Sequence, residues 1–205
     1  MAALARNETK YPPIDGIPEL REAAARKFQR ENGLNYSADQ VMVGTGSKQI
    51  IFNAMLATMG AGDEAIIPAP YWISYLDMVL VADGTPVEVQ CTAESGFKLT
   101  PAQLEAAITP RTKWLLLNSP NNPTGAVLGL DELTRIADLA QRHDLWLVLD
   151  EVYEALVFEG QHVFMASLPG IAERTVTIGS LSKSHAMTGW RSGWVVANTT
   201  LIAHI

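Results

Sequence analysis

Lys183 stands in the run Gly179-Ser180-Leu181-Ser182-Lys183, and Arg191 follows eight residues later within Gly189-Trp190-Arg191-Ser192-Gly193. Hydroxyls and an arginine together suit an anion such as phosphate, because a guanidinium presents a rigid fork of donors. A lysine embedded beside apolar sequence is expected to be partly desolvated, which frees its amine to act as a nucleophile. On its own, Ser-X-X-Lys describes many solvated loop lysines. The spacing to Arg191 and four other segments give it weight.

Asn118-Ser119-Pro120-Asn121-Asn122-Pro123-Thr124-Gly125 follows an apolar run, and so does Asp150-Glu151-Val152-Tyr153. Ligands of open α/β sheets sit beyond the carboxyl ends of strands, which is a suitable address for Asn122, Asp150 and Tyr153. Taken singly, the first segment also reads as a plain turn and the aspartate as a helix cap. Gly44-Thr45-Gly46-Ser47-Lys48 precedes a helical pattern. Free N–H groups at a helix start favour a phosphate, and glycine permits close approach. Trp72, in Pro70-Tyr71-Trp72, either stacks on a flat ring or packs in the core.

The elements that must position these residues alternate along the chain. Short, often β-branched apolar runs recur at 41–43, 65–67, 87–89, 114–117, 145–149, 176–178 and 194–197, bounded by Gly, Pro, Asn or Asp. Such runs predict buried strands of a sheet covered on both faces. Helical patterns fill several gaps, at 18–32, 47–59, 102–108 and 130–143. Pro18 opens the first and Gly33 stops it, with Leu20, Ala24, Lys27 and Phe28 on one face and Lys27 at its edge. Thr100 before Pro101 predicts an N-cap. The first ten residues show no clear element, and 198–205 begin a possible helix. The alternation predicts an α/β fold, a mainly parallel seven-stranded sheet sandwiched by helices.

Composition agrees with a folded chain. Of 205 residues, 48% are hydrophobic and 18% charged, which excludes disorder as the main state. A formal charge of −7 argues against a nucleic-acid surface while leaving room for a local basic pocket. The single cysteine, Cys91, excludes an internal disulfide, and the four histidines lack zinc-ligand spacing. No apolar run approaches the ~18 residues of a membrane helix. A cytoplasmic location, with no membrane or nucleic-acid partner, is the expectation.

Phosphate donors, an aromatic face, an Asn, an Asp and a Lys near strand ends fit a flat phosphorylated cofactor with a cationic ring nitrogen and an aldehyde. Pyridoxal 5'-phosphate meets all of these, with the aspartate as partner of the pyridinium.

Over nearly its whole length, from Lys10-Tyr11-Pro12-Pro13 to Gly189-Trp190-Arg191-Ser192-Gly193-Trp194, the sequence resembles the class I aminotransferases of pyridoxal-phosphate fold type I, especially bacterial aspartate aminotransferases. The resemblance implies that residues 1–40 lead into a cofactor-binding large domain at 41–205. It implies that Lys183 forms the internal aldimine and that Asp150 pairs with the pyridine nitrogen. Asn122 and Tyr153 would hydrogen-bond the phenolic oxygen, and Trp72 would stack on the ring. The phosphate would be held by Gly46, Ser47, Lys48, Ser180, Ser182 and Arg191, with Ser180 favoured over Ser182. Tyr11 would reach the phosphate of a neighbouring subunit, which implies a homodimer, and Lys48 would also help bind a substrate's distal carboxylate. The substrates implied are an amino acid, aspartate or a relative, and a 2-oxo acid. The family's N-terminal closing segment and C-terminal small domain have no counterpart among these residues, so a fragment of low activity is expected. Two alternatives stay open: a lyase of the same fold, of the carbon–sulfur lyase or aminocyclopropane-carboxylate synthase type, and a non-catalytic cofactor-binding module.

Overall fold

The computed structural model describes residues 1–205. All seven apolar runs form strands: β1 (Val41–Thr45), β2 (Glu64–Ala69), β3 (Thr85–Gln90), β4 (Thr112–Asn118), β5 (Trp146–Asp150), β6 (Thr175–Ser180) and β7 (Ser192–Val196). They make one sheet in the order β1-β7-β6-β5-β4-β2-β3. β2 to β6 pair in parallel, whereas β7 is antiparallel to both β1 and β6. The expected mainly parallel sheet is therefore present, with one reversed strand inserted near an edge.

Side chains alternate across a strand, so a run that is apolar throughout must bury both faces. On β4, Trp114 and Leu116 enter one core while Leu115 and Leu117 enter the other; on β5, Val148 opposes Leu147 and Leu149. The helices supply the covers. They are α1 (Ala2–Ala5), α2 (Pro18–Lys27), α3 (Ser47–Thr58), α4 (Ser74–Val81), α5 (Pro101–Ala107), α6 (Leu130–Arg142), α7 (Leu181–Ser184) and α8 (Thr199–Ile202). Residues of α3, α4 and α8 pack on one face, and residues of α5 and α6 on the other. A third, smaller cluster joins Ala24, Ala25 and Phe28 to Val41, Trp194 and Val196.

Local signals explain most helix limits. Thr100 caps α5 through a reciprocal box with Gln103, its hydroxyl accepting from Gln103 N at 3.3 Å. α2 continues through Phe28–Asn32 as a wider π turn and ends at Gly33, whose φ of 67° is left-handed. Lys27, expected at the edge of its helix face, is half-buried there and ion-paired with Glu154. Two features differ from the sequence expectation. The N-terminal decapeptide contains α1. α4 was not anticipated, because 71–81 is apolar on nearly every side and shows no helical period. No helix is long and apolar enough to cross a membrane.

Candidate active site

Three strand ends bring the functional side chains together. β5 ends in Asp150, β4 ends opposite it in Asn118, and β6 runs into the single turn α7 that carries Lys183. Ser47, Trp72, Tyr75, Asn118, Asn122, Asp150, Val152, Tyr153 and Lys183 line one cavity of about 120 Å³. Six of these were singled out in the sequence as site residues: Ser47, Trp72, Asn122, Asp150, Tyr153 and Lys183.

Asp150 is 3% exposed. Burial disfavours its charged form and pushes its carboxyl up to about 6; Glu151 adds to the rise. Hydrogen bonds from Tyr75 and from the Val152 N–H, and the positive charge of Lys183, act the other way. The Tyr75 hydroxyl donates to Asp150 Oδ2 at 2.6 Å, and Val152 N lies 3.4 Å from Oδ1. Asn118 ties the neighbouring loop to this strand end. Its Nδ2 donates to the Asp150 carbonyl at 2.8 Å, and its Oδ1 accepts from Asn122 N at 2.7 Å. Tyr75, Asn118 and Val152 are the cavity residues to which the sequence assigned no role. Tyr75 lies on the unanticipated α4, whereas Asn118 stands in the Asn118–Gly125 run and was legible as a polar strand end.

Lys183 is exposed at the cavity mouth, not partly desolvated as expected, because the short α7 carries it past the end of the sheet. Its Nζ lies 5.7 Å from the centre of the Tyr153 ring. Trp72 meets Tyr75 edge to face at 5.4 Å, and Lys48 Nζ lies 4.8 Å from the centre of the Trp72 ring.

The glycine turn before α3 makes the second pole of the site. The first N–H groups of a helix have no intrahelical acceptor, so those of Ser47 and Lys48 are free to meet an anion. Gly46, with φ 82°, brings the turn beneath the Arg191 guanidinium, which also donates from Nη1 to the Thr188 carbonyl at 3.0 Å. A wider cleft of about 560 Å³ opens beside this pole, lined among others by Thr45, Lys48, Ser74 and Arg191.

Ser180 and Ser182 are buried, and Ser180 pairs with Gly193 on β7, the strand that follows Arg191. Ser180 Oγ accepts from Ser182 N at 3.0 Å and donates to the Ser192 carbonyl at 2.9 Å, so it caps α7 and would have to leave Ser192 to donate to an anion. Tyr11 is fully exposed on the N-terminal segment and lines none of these cavities. The geometry thus offers an amine, a buried carboxylate that accepts hydrogen bonds, an indole face, and an anion cradle built from backbone N–H groups and a guanidinium.

Comparison with known proteins finds relatives over nearly the whole chain. The family described as "Aminotransferase class I and II" matches residues 2–205. An aspartate/prephenate aminotransferase of Cereibacter sphaeroides is 53% identical, covering 98% of this chain and 51% of the relative. An aspartate aminotransferase of Rhizobium meliloti is 51% identical over 98% of this chain and 50% of its own length. The structure of an aspartate aminotransferase from Thermus thermophilus with maleate superposes with a TM-score of 0.95 at 47% identity, covering 99% of this chain and 53% of that one. The chain therefore spans about half the length of the curated relatives it matches.

Proposed function

The chain belongs to the class I and II aminotransferases, and on that premise we propose that its cavity holds pyridoxal 5'-phosphate in an enzyme that moves an amino group from aspartate, or a related amino acid, to a 2-oxo acid. Residues 41–205 are the cofactor-binding domain in this reading, and 1–40 lead into it. The observation that carries the proposal is the shared cavity of Lys183, Asp150, Asn122, Tyr153 and Trp72 beside the cradle of Gly46 and Arg191.

The residues fit the cofactor at both ends. Asp150 is a buried carboxylate whose remaining acceptor capacity lines the cavity, which calls for a cationic donor such as a pyridinium N–H. Gly46 lets the Arg191 guanidinium pack directly on the turn, where any Cβ would collide with it, and so holds that cation beside free helix N–H groups, which suits a phosphate. Bound there, pyridoxal phosphate supplies an aldehyde that captures amines and a ring that withdraws electrons from the substrate's α-carbon.

This chain's side chains perform the rest. Lys183 holds the cofactor at rest and, once freed, its amine carries a proton to and from the substrate Cα as general base and acid. Asp150 keeps the ring nitrogen protonated by accepting its hydrogen bond. Asn122 and Tyr153 orient the ring at its phenolic oxygen. Trp72 covers one face and excludes water. Ser47, Lys48, Ser182 and Arg191, together with Ser180 once its hydroxyl turns from Ser192, bind the phosphate. Lys48 also faces the wider cleft and is suited to a distal carboxylate, in keeping with the dicarboxylate maleate on the Thermus thermophilus relative. A homodimer in which Tyr11 reaches the neighbouring phosphate, and a cytoplasmic location, complete the reading.

Incubation with aspartate and 2-oxoglutarate tests it in the full-length enzyme. Glutamate is expected; pyruvate and ammonia from a sulfur amino acid, with no glutamate from aspartate, would instead establish a lyase.

A further inference from the structure

Tyr75 is the large buried polar side chain of the cavity wall that the proposed chemistry leaves without a part. It occupies the second position of α4 and is 1% exposed. Its ring edge meets Trp72, while its hydroxyl reaches across to β5 and donates to Asp150 Oδ2 at 2.6 Å. A phenol buried among apolar residues needs one acceptor. Here that acceptor is the carboxylate that lines the cavity, rather than a backbone carbonyl of its own helix.

The contact has direction. Burial and the neighbouring carboxylate push the Tyr75 phenol well above its usual value, so its proton stays on the phenol and Asp150 accepts. A hydrogen bond made to the charged form of an acid favours that form. Other charged groups act on Asp150 as well: Lys183 from α7 favours ionisation, and Glu151 on its own strand end opposes it. Tyr153 faces the Tyr75 side of the pair. The only protein donor at Oδ1 is the long Val152 N–H contact, so Oδ2 is the anchored oxygen.

We propose that Tyr75 is a positioning residue of this site: by donating to Asp150 Oδ2 it fixes the orientation of the carboxylate and favours its ionised form, so that the acceptor for a cationic ring nitrogen stands ready before the cofactor arrives. The cofactor part of this statement rests on the function proposed above.

The Asp150 carboxyl is read directly by carbon-13 NMR titration of the cofactor-free protein, with Asp150→Asn identifying the signal. Tyr75→Phe removes the donor and keeps the ring. Its titration midpoint is expected to rise by about one pH unit or more, roughly tenfold in proton affinity. The pH at which pyridoxal phosphate binding sets in, followed by absorbance, is expected to rise with it. A purely structural phenol predicts a lower melting temperature with an unmoved midpoint, and that result overturns the proposal. Should Tyr75→Phe fail to fold, 3-fluorotyrosine at position 75 gives the reading. It is nearly the same size and a stronger donor, so the midpoint is expected to fall, and no movement overturns the proposal. Wild-type protein that takes up no pyridoxal phosphate overturns the proposed function instead, while the titration still decides the Tyr75–Asp150 coupling.

Discussion

The guanidinium of Arg191 lies so close over Gly46 that a Cβ at position 46 would sit 2.2 Å from its Nη2. Gly193, paired with Gly44 across β1 and β7, makes the complementary approach: a Cβ there would lie 2.6 Å from Ser47 N. The two glycines are expected to fail differently. The guanidinium is the end of an exposed, flexible side chain and moves aside, so Gly46→Ala should weaken pyridoxal phosphate binding tenfold or more. The φ of 82° adds a strain of about 1–3 kcal/mol. Gly193→Ala strikes backbone and should lower the melting temperature more. Thermal melts and cofactor titrations of both variants check this; Gly193→Ala melting like wild type would refute it.

Lys183 is the amine expected to capture the aldehyde. Borohydride reduction of protein mixed with pyridoxal phosphate should fix one label, on the peptide containing Lys183. In Lys183→Ala the label should vanish. Mass spectrometry of the digest decides, and a label that persists at the same yield would falsify the assignment.

The buried Asp150 makes stability of the cofactor-free protein depend on pH. Its carboxyl is raised from 3.8 to about 6, so the fold favours the protonated form. That contribution is complete below about pH 4 and is lost as pH rises through about 6. An amide in place of the carboxyl carries no charge to desolvate. Asp150→Asn should therefore gain on wild type between about pH 4 and 7, by up to roughly 3 kcal/mol, and bind pyridoxal phosphate poorly at every pH. Denaturant melts at several pH values measure the gap; a gap that does not change with pH would contradict the burial argument.

Asn118 joins the Asp150 carbonyl to the Asn122 N–H. Asn118→Ala loses both bonds and should destabilise by about 1–3 kcal/mol, with weaker cofactor binding. Asn118→Asp keeps the acceptor for Asn122 but turns a carboxylate oxygen onto the Asp150 carbonyl, so it should destabilise at least as much. Equal melting temperatures for all three proteins would show that solvent replaces the bridge.

The strands were legible because a sheet covered on both faces needs runs such as 114–117 that are apolar at every position. Their order was not, since β7 lies between β1 and β6 through contacts between residues far apart in sequence. α4 was hidden for a related reason: Ile73, Leu80 and Val81 remain exposed while Tyr75, Met78 and Val79 are buried, so the segment carries no polar stripe. Of the site, the residues held in strand-end and glycine motifs could be read from spacing. Tyr75 could not, because its meaning depends on a hydrogen bond to a residue 75 positions away. The exposure of Lys183 depends on α7 ending after one turn, which no local pattern announces.

The reversed β7 also constrains the order of events during synthesis. β1 has no other neighbour in the sheet, and its register partners, Val196 for Val41 and Ser192 for Thr45, are made about 150 residues later. The glycine turn that follows β1 therefore waits for about 150 further residues before it acquires a fixed place beside Arg191. On the ribosome, the parallel strands β2 to β6 have their partners available first, while β1 remains an unpaired edge until residue 196 emerges. Long loop closure of this kind is slow, so the turn beside Arg191, the proposed phosphate cradle, is expected to mature after the strand ends of β4 and β5.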